Sequence, residues 1–232
     1  MAEIIPAILP EDFYEIEKKV RSVFRVCPNI QIDICDGVYV PSRTWPFVIK
    51  EDKFFADLTE EKMGMPEWEN VNYELDLMIK NPNKRFEEFV KLGPSRLIFH
   101  FRSFANTEVA NEFFKNLDQF YKNNIEIGLA ISAEENLDEI KEIIPEIHFI
   151  QIMGIKVAGF QGTPLDRDYF AKVIEKIKEV KEKYPEIKIS IDGGVSLNTK
   201  DELIEAGADR LVSGSAIFQS ADPLETIEEF KK

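Results

Sequence analysis

Cysteine is scarce in this chain: Cys27 and Cys35 are the only two among 232 residues. So few thiols exclude a disulfide framework and point to a reduced, cytoplasmic compartment. Long apolar runs are missing too. None approaches the roughly 18 residues needed to cross a bilayer. No basic leader precedes Ile4-Ile5-Pro6-Ala7-Ile8-Leu9, so neither a targeting segment nor a membrane partner is expected. Basic residues are the minority, 29 against 43 acidic, for a formal charge of −14. That surplus argues against nucleic acid and anionic membranes as partners. It leaves an anionic small ligand open, because a few backbone N–H groups outweigh a distant negative field. No linker rich in Pro, Gly or Ser divides the sequence, so residues 1–232 are expected to form one domain with a substantial core.

What the chain does have is alternation. Strand patterns fall at 4–9, 29–35, 72–79, 96–102, 126–132, 148–155, 187–192 and 210–213. Helical patterns follow most of them, at 12–25, 50–61, 83–92, 106–122, 136–143, 167–183, 199–206 and 222–231. Eight strands with intervening helices predict an α/β chain closed into a (β/α)8 TIM barrel. The segment 37–70 is the least regular. Its Arg43 and Trp45 either cover a pocket mouth or belong to an insertion packed against the barrel end.

Strand alternation sorts side chains by face. Ile30, Ile32 and Ile34 share one face, leaving Gln31, Asp33 and Cys35 for the barrel interior. The third strand sends Glu74, Asp76 and Met78 inward, the fourth His100 and Arg102, the seventh Lys188, Ser190 and Asp192. Barrel interiors usually fill with branched apolar side chains, and buried carboxylates need hydrogen bonds, counter-charges or a metal. A purely structural network, such as Lys188 or Arg102 paired with Glu74, is one account. The other is an active site, because Asp33 and Asp192 stand near C-terminal strand ends, where barrels do their chemistry.

Three glycine-rich turns follow strands: Gly159-Phe160-Gln161-Gly162, Asp192-Gly193-Gly194 and Ser213-Gly214-Ser215. The last two follow strands seven and eight, a common phosphate-binding place in barrels. Gly162, Gly193, Gly194, Gly214 and Ser215 are therefore expected at a phosphate; the plainer reading is that the glycines only make tight turns. His100 is expected near substrate or as a hydrogen-bonded core residue, His148 as structural, and Lys156 as solvated or near a substrate oxygen.

The ordered set Pro6-Ala7-Ile8-Leu9, Asp33-Ile34-Cys35-Asp36-Gly37 with Val40-Pro41, Leu77-Met78-Ile79 with Asn81-Pro82, Gly159-Phe160-Gln161-Gly162, Asp192-Gly193-Gly194 and Ser213-Gly214-Ser215-Ala216-Ile217-Phe218 resembles the ribulose-phosphate 3-epimerase family over nearly the whole chain. The resemblance implies a ribulose-phosphate-binding barrel, an isomerase of carbohydrate metabolism whose partner is a phosphorylated sugar, and a homo-oligomer, dimer or hexamer. It places the family's acid–base aspartates on Asp33 and Asp192, and its two metal-binding histidines on Gln31 and Asp76. The serine after the first proline falls on Ala7, and the pocket methionines on Cys35, Met78 and Met153.

Gln31, Asp33, Asp76 and Asp192 would then form an all-oxygen set, suited to hard ions such as magnesium, manganese or calcium more than to the zinc common in the family. Either a divalent metal (Mn, Mg or Zn) sits there, or none does and a carboxyl keeps a proton. Three functions stay open: an epimerase or isomerase working beside a ketose carbonyl, a noncatalytic or repurposed phosphosugar-binding barrel, and a related decarboxylase. The decarboxylases carry an Asp-x-Lys arrangement on the third strand, where this chain has Asp76-Leu77-Met78.

Overall fold

Eight parallel strands close on themselves in chain order. They are β1 (Glu3–Ile8), β2 (Asn29–Cys35), β3 (Asn72–Met78), β4 (Arg96–His100), β5 (Glu126–Ser132), β6 (Phe149–Met153), β7 (Lys188–Asp192) and β8 (Arg210–Ser213). The computed structural model describes residues 2–232. Helices α1 (Phe13–Val23), α2 (Lys53–Thr59), α3 (Phe86–Val90), α4 (Thr107–Asn116), α5 (Gln119–Asn124), α6 (Arg167–Lys183), α7 (Lys200–Ala206), α8 (Ser215–Phe218) and α9 (Pro223–Phe230) lie between and after the strands. The result is a (β/α)8 barrel of the ribulose-phosphate-binding type. Among the described residues no helix is long and apolar enough to cross a membrane.

The strand alternation explains the layering. Ile30, Ile32, Ile34, Leu75, Leu77, Ile189 and Ile191 join one large core between strands and helices. Helix starts follow local chemistry. Asp12 accepts from Glu15 N at 2.8 Å, and Asp166 accepts from Tyr169 N at 3.0 Å, satisfying donors that the first turns of α1 and α6 leave free.

Three helix expectations differ from the structure. The one at 83–92 divides into a 3-10 turn at Pro82–Lys84 and the short α3. Residues 136–143 make no α-helix; short 3-10 turns stand at Leu137–Glu139 and Ile144–Glu146. The expected helix 106–122 breaks into α4 and α5, because Asp118 accepts from Phe120 N at 2.7 Å and starts a new helix.

The polar interior has a floor that differs from the expected one. Arg102 lies beyond the end of β4, 47% exposed, and pairs with Glu135 and Glu139. Lys188 is 58% exposed at the start of β7. Neither meets Glu74. Its partner is Arg96, whose Nη1 lies 3.3 Å from Glu74 Oε2. Arg96 also contacts Glu3 at 3.0 Å and Glu126 at 3.0 Å, and Arg210 reaches the same two acids. Side chains from the first residues of β1, β4, β5 and β8 thus close the N-terminal end of the barrel with charge.

Candidate active site

The opposite end of the barrel gathers the acids. Strand register sets Asp33 of β2 directly beside Asp76 of β3. Asp192 closes β7, next to Met153 of β6. One carboxylate oxygen from each of Asp33, Asp76 and Asp192 lies within 4.8 Å of the others. Asp33 and Asp76 are buried, while Asp192 opens onto a cavity. Burial above all, then the charges of Asp192 and Asp76, holds the Asp33 carboxyl well above the usual carboxylate range. Burial, followed by the charge of Asp76, pushes Asp192 up to about 7. Both carboxyls are thus biased toward holding a proton.

Carboxamides hold the trio in place. Gln31 Nε2 donates to Asp33 Oδ1 at 2.7 Å and to Asp192 Oδ2 at 2.9 Å. Gln151 Nε2 donates to Asp76 Oδ2 at 3.1 Å and to Asp192 Oδ2 at 3.4 Å. His100 Nε2 meets Asp76 Oδ1 at 2.8 Å; burial opposes charge on the imidazole, but Asp76 outweighs it and raises its pKa. Gln151 escaped the sequence reading. Its inward position on β6 was open to alternation, yet no motif marks it.

The same residues fit a hard divalent cation. Three carboxylate oxygens crowd together, and Gln31 Oε1 is buried without a hydrogen-bond partner. An unsatisfied carbonyl beside clustered anions is a donor awaiting a cation, and the donors are all oxygen. His100 stands two residues past Ile98, the register partner of Asp76, and is committed to Asp76.

Beside Asp33 and Asp192 lies a cavity of ≈ 370 Å³, which Gly162, Gly193, Gly194, Gly214 and Ser215 also line. All five residues expected at a phosphate are thus brought to one place. Gly193 and Gly194 take φ of +94° and +68°, a backbone that side chains rarely adopt. Gly214 is needed for space instead. A Cβ there would stand 2.3 Å from Gln161 Nε2 and 3.0 Å from the Ala7 carbonyl oxygen. Gln161, on the loop after β6, donates to Ala7 O at 3.1 Å. The sequence flagged its turn but not its side chain, which ties that loop to the barrel mouth.

The remaining candidates separate. Met78 and Met153 line the cavity. Cys35 is fully buried behind it, its Sγ 4.0 Å from Met78 Sδ, and burial with the nearby Asp33 charge raises its thiol pKa. Lys156 pairs with Asp166 at 2.6 Å on the surface. His148 Nδ1 accepts from Ile127 N at 2.9 Å below the site. Trp45 covers no pocket mouth: it is buried against Phe13 and donates to Asp52 Oδ1 at 3.0 Å. Arg43 lines a separate groove along the 46–52 segment. The tip of that long loop, at Tyr39, Val40 and Pro41, reaches the barrel mouth.

Comparison with known proteins agrees with this architecture. The chain is 26% identical over 238 residues to the ribulose-phosphate 3-epimerase of Bacillus subtilis, covering 100% of this chain and 99% of that protein. It is 25% identical over 228 residues to the ribulose-phosphate 3-epimerase of Schizosaccharomyces pombe, covering 97% and 91%. In fold it is similar to 3-hexulose-6-phosphate synthase from Salmonella typhimurium, with a TM-score of 0.65, 15% identity and coverage of 98% and 96%. It is likewise similar to 3-keto-L-gulonate-6-phosphate decarboxylase from Vibrio cholerae, with a TM-score of 0.66, 12% identity and coverage of 99% and 95%. Residues 3–218 match the pattern of the Ribulose-phosphate 3 epimerase family, and the chain belongs to that family.

Proposed function

We propose that this protein epimerises or isomerises a phosphorylated ketose, with Asp33 and Asp192 moving the proton at the carbon beside the ketone. The observation that carries this reading is the meeting of two carboxyl groups of raised pKa, from β2 and β7, at the wall of a cavity rimmed by glycine turns. The ionised carboxylate takes the proton from one face of the carbon and leaves an enediolate. The protonated carboxyl returns a proton to the opposite face, and solvent restores both acids. Gln31 and Gln151 keep Asp192 aimed at the cavity. Gly162, Gly193, Gly194, Gly214 and Ser215 hold the phosphate through backbone N–H groups and one hydroxyl. Gln31, Asp33, Asp76 and Asp192 would hold a divalent ion, which when bound supplies positive charge to the enolised oxygens.

A noncatalytic phosphosugar binder would use the same cavity but has no need of three crowded acids. The third-strand lysine of the related decarboxylases has no counterpart here, since Met78 stands two residues after Asp76. The test is solvent deuterium exchange into a panel of phosphorylated ketoses, with chelator and with added manganese or magnesium. Incorporation at one carbon is the expected result; no incorporation into any ketose under either condition overturns the proposal.

Gly214→Val tests the phosphate grip separately. The added side chain displaces Gln161 and crowds Ala7, so affinity for inorganic phosphate is expected to fall at least tenfold, about 1.4 kcal/mol. Isothermal titration checks this, and unchanged phosphate affinity would move the anion away from this turn.

A further inference from the structure

A second cavity, of ≈ 200 Å³, opens on the other side of the acids. The first cavity lies against the turns after β7 and β8, and the second lies among the ends of β4, β5 and β6 and the tip of the loop after β2. Met153 and Ile155 line both, so the two cavities abut at the end of β6. His100, whose Nε2 is bonded to Asp76, lines the second one and links it to the trio. A ligand whose phosphate is held after β7 and β8 and whose reacting carbon lies at Asp33 and Asp192 has its remaining carbons pointing this way.

The chemistry of the wall is specific. Glu135 lines the second cavity with its side chain only 13% exposed. Its Oε1 lies 3.5 Å from Arg102 Nε, while its Oε2 is buried without any hydrogen-bond partner. A buried carboxylate oxygen left without a donor is costly, and a ligand hydroxyl removes that cost. The nearby cations are already engaged, Arg102 with Glu139 and Lys156 with Asp166. The wall therefore offers an acceptor in search of a donor and no free positive charge for an acid. The volume exceeds a single hydroxyl-bearing carbon, since a water takes about 30 Å³.

We infer that the second cavity receives the end of the substrate distal to the phosphate, and that Glu135 selects a hydroxylated tail over an acidic one. This deepens the phosphoketose reading and rests on it. Linear polyol phosphates of three to six carbons test it, because they lack a carbonyl and bind without reacting. Their dissociation constants are measured by titration calorimetry on the wild-type protein, Glu135→Ala and the volume-conserving Glu135→Gln. Wild-type affinity is expected to rise at least tenfold from the three-carbon to the longest well-fitting probe. Both variants are expected to lose most of that gain while binding the three-carbon probe normally. A six-carbon probe ending in a carboxylate should bind the wild type more weakly than its polyol counterpart. Equal gains with chain length in wild type and variants, or preference for the carboxylate-ended probe, overturn the assignment of Glu135 while leaving the phosphate reading intact. Failure of every probe and of inorganic phosphate to bind overturns both.

Discussion

Asp192→Asn is expected to slow deuterium exchange into the substrate by about 10³-fold or more, within the range that positioned acid–base groups contribute. Asparagine keeps the shape of the side chain, and its carbonyl oxygen still accepts from Gln31 Nε2, which reaches Asp192 at 2.9 Å in the parent. What disappears is the titrating group. In the parent protein, exchange should rise as pH climbs through about 7, where Asp192 gives up its proton and becomes the base. It should fall again at higher pH, once Asp33, held well above the usual range by burial and by its acidic neighbours, is ionised too. The variant should lose the rising limb. Asp33→Asn should lose the falling limb at a comparable cost in rate, and the double variant should be little slower than either single one, because the two groups act as a unit. Rates are read by proton NMR with ion conditions matched, and phosphate affinity serves as the control for folding. A variant retaining a tenth of the parent rate would remove Asp192 from the chemistry.

Much of this barrel was legible because its strands are two-sided. In β2 and β7 every second residue is isoleucine, so the face packed under the helices and the face turned inward separate without ambiguity. Asp33 and Asp192 stood out as inward acids near strand ends, and the structure brings them together with Asp76. Periodicity failed where several backbones satisfy one burial pattern. Leu137, Ile140, Ile143 and Ile144 have helical spacing and are buried, but Pro145 withholds a backbone N–H and disfavours helix before it, so short 3-10 turns bury them instead. Contacts between distant strands were equally hidden. Gln151 meets an aspartate 75 positions away, and nothing near it in sequence reports that register. Alternation alone offers Arg102 and Lys188 as partners for Glu74, but β4 ends at His100, and the Lys188 side chain, at the start of β7, is 58% exposed. The cations that do the work, Arg96 and Arg210, begin β4 and β8.

That floor carries the largest expected effect on stability. Arg96→Met removes contacts to Glu3, Glu74 and Glu126 at once and leaves Glu74, which is 1% exposed, with Arg210 as its remaining nearby cation. Breaking a buried ion pair by deleting one partner costs about 3–5 kcal/mol, and the loss should be read in urea unfolding midpoints. Its pH dependence follows from Glu74. Burial, opposed by Arg96 and Arg210, already pushes that carboxyl up to about 7 in the parent, above its unfolded value. A carboxyl whose folded pKa is raised stabilises the fold fully below the unfolded pKa and loses that contribution as pH rises through the folded one. Taking away Arg96 removes an opposing pull, raises the carboxyl further, and widens the window over which stability is lost. The gap between variant and parent should therefore be small near pH 5 and grow toward pH 8. Glu74→Met placed in the Arg96→Met background should recover part of the loss at pH 8 and little at pH 5, because the protonated acid costs little to bury. A gap that stays constant across this range would show that Arg96 acts through Glu3 and Glu126 at the rim and not through the acid at the centre of the barrel floor.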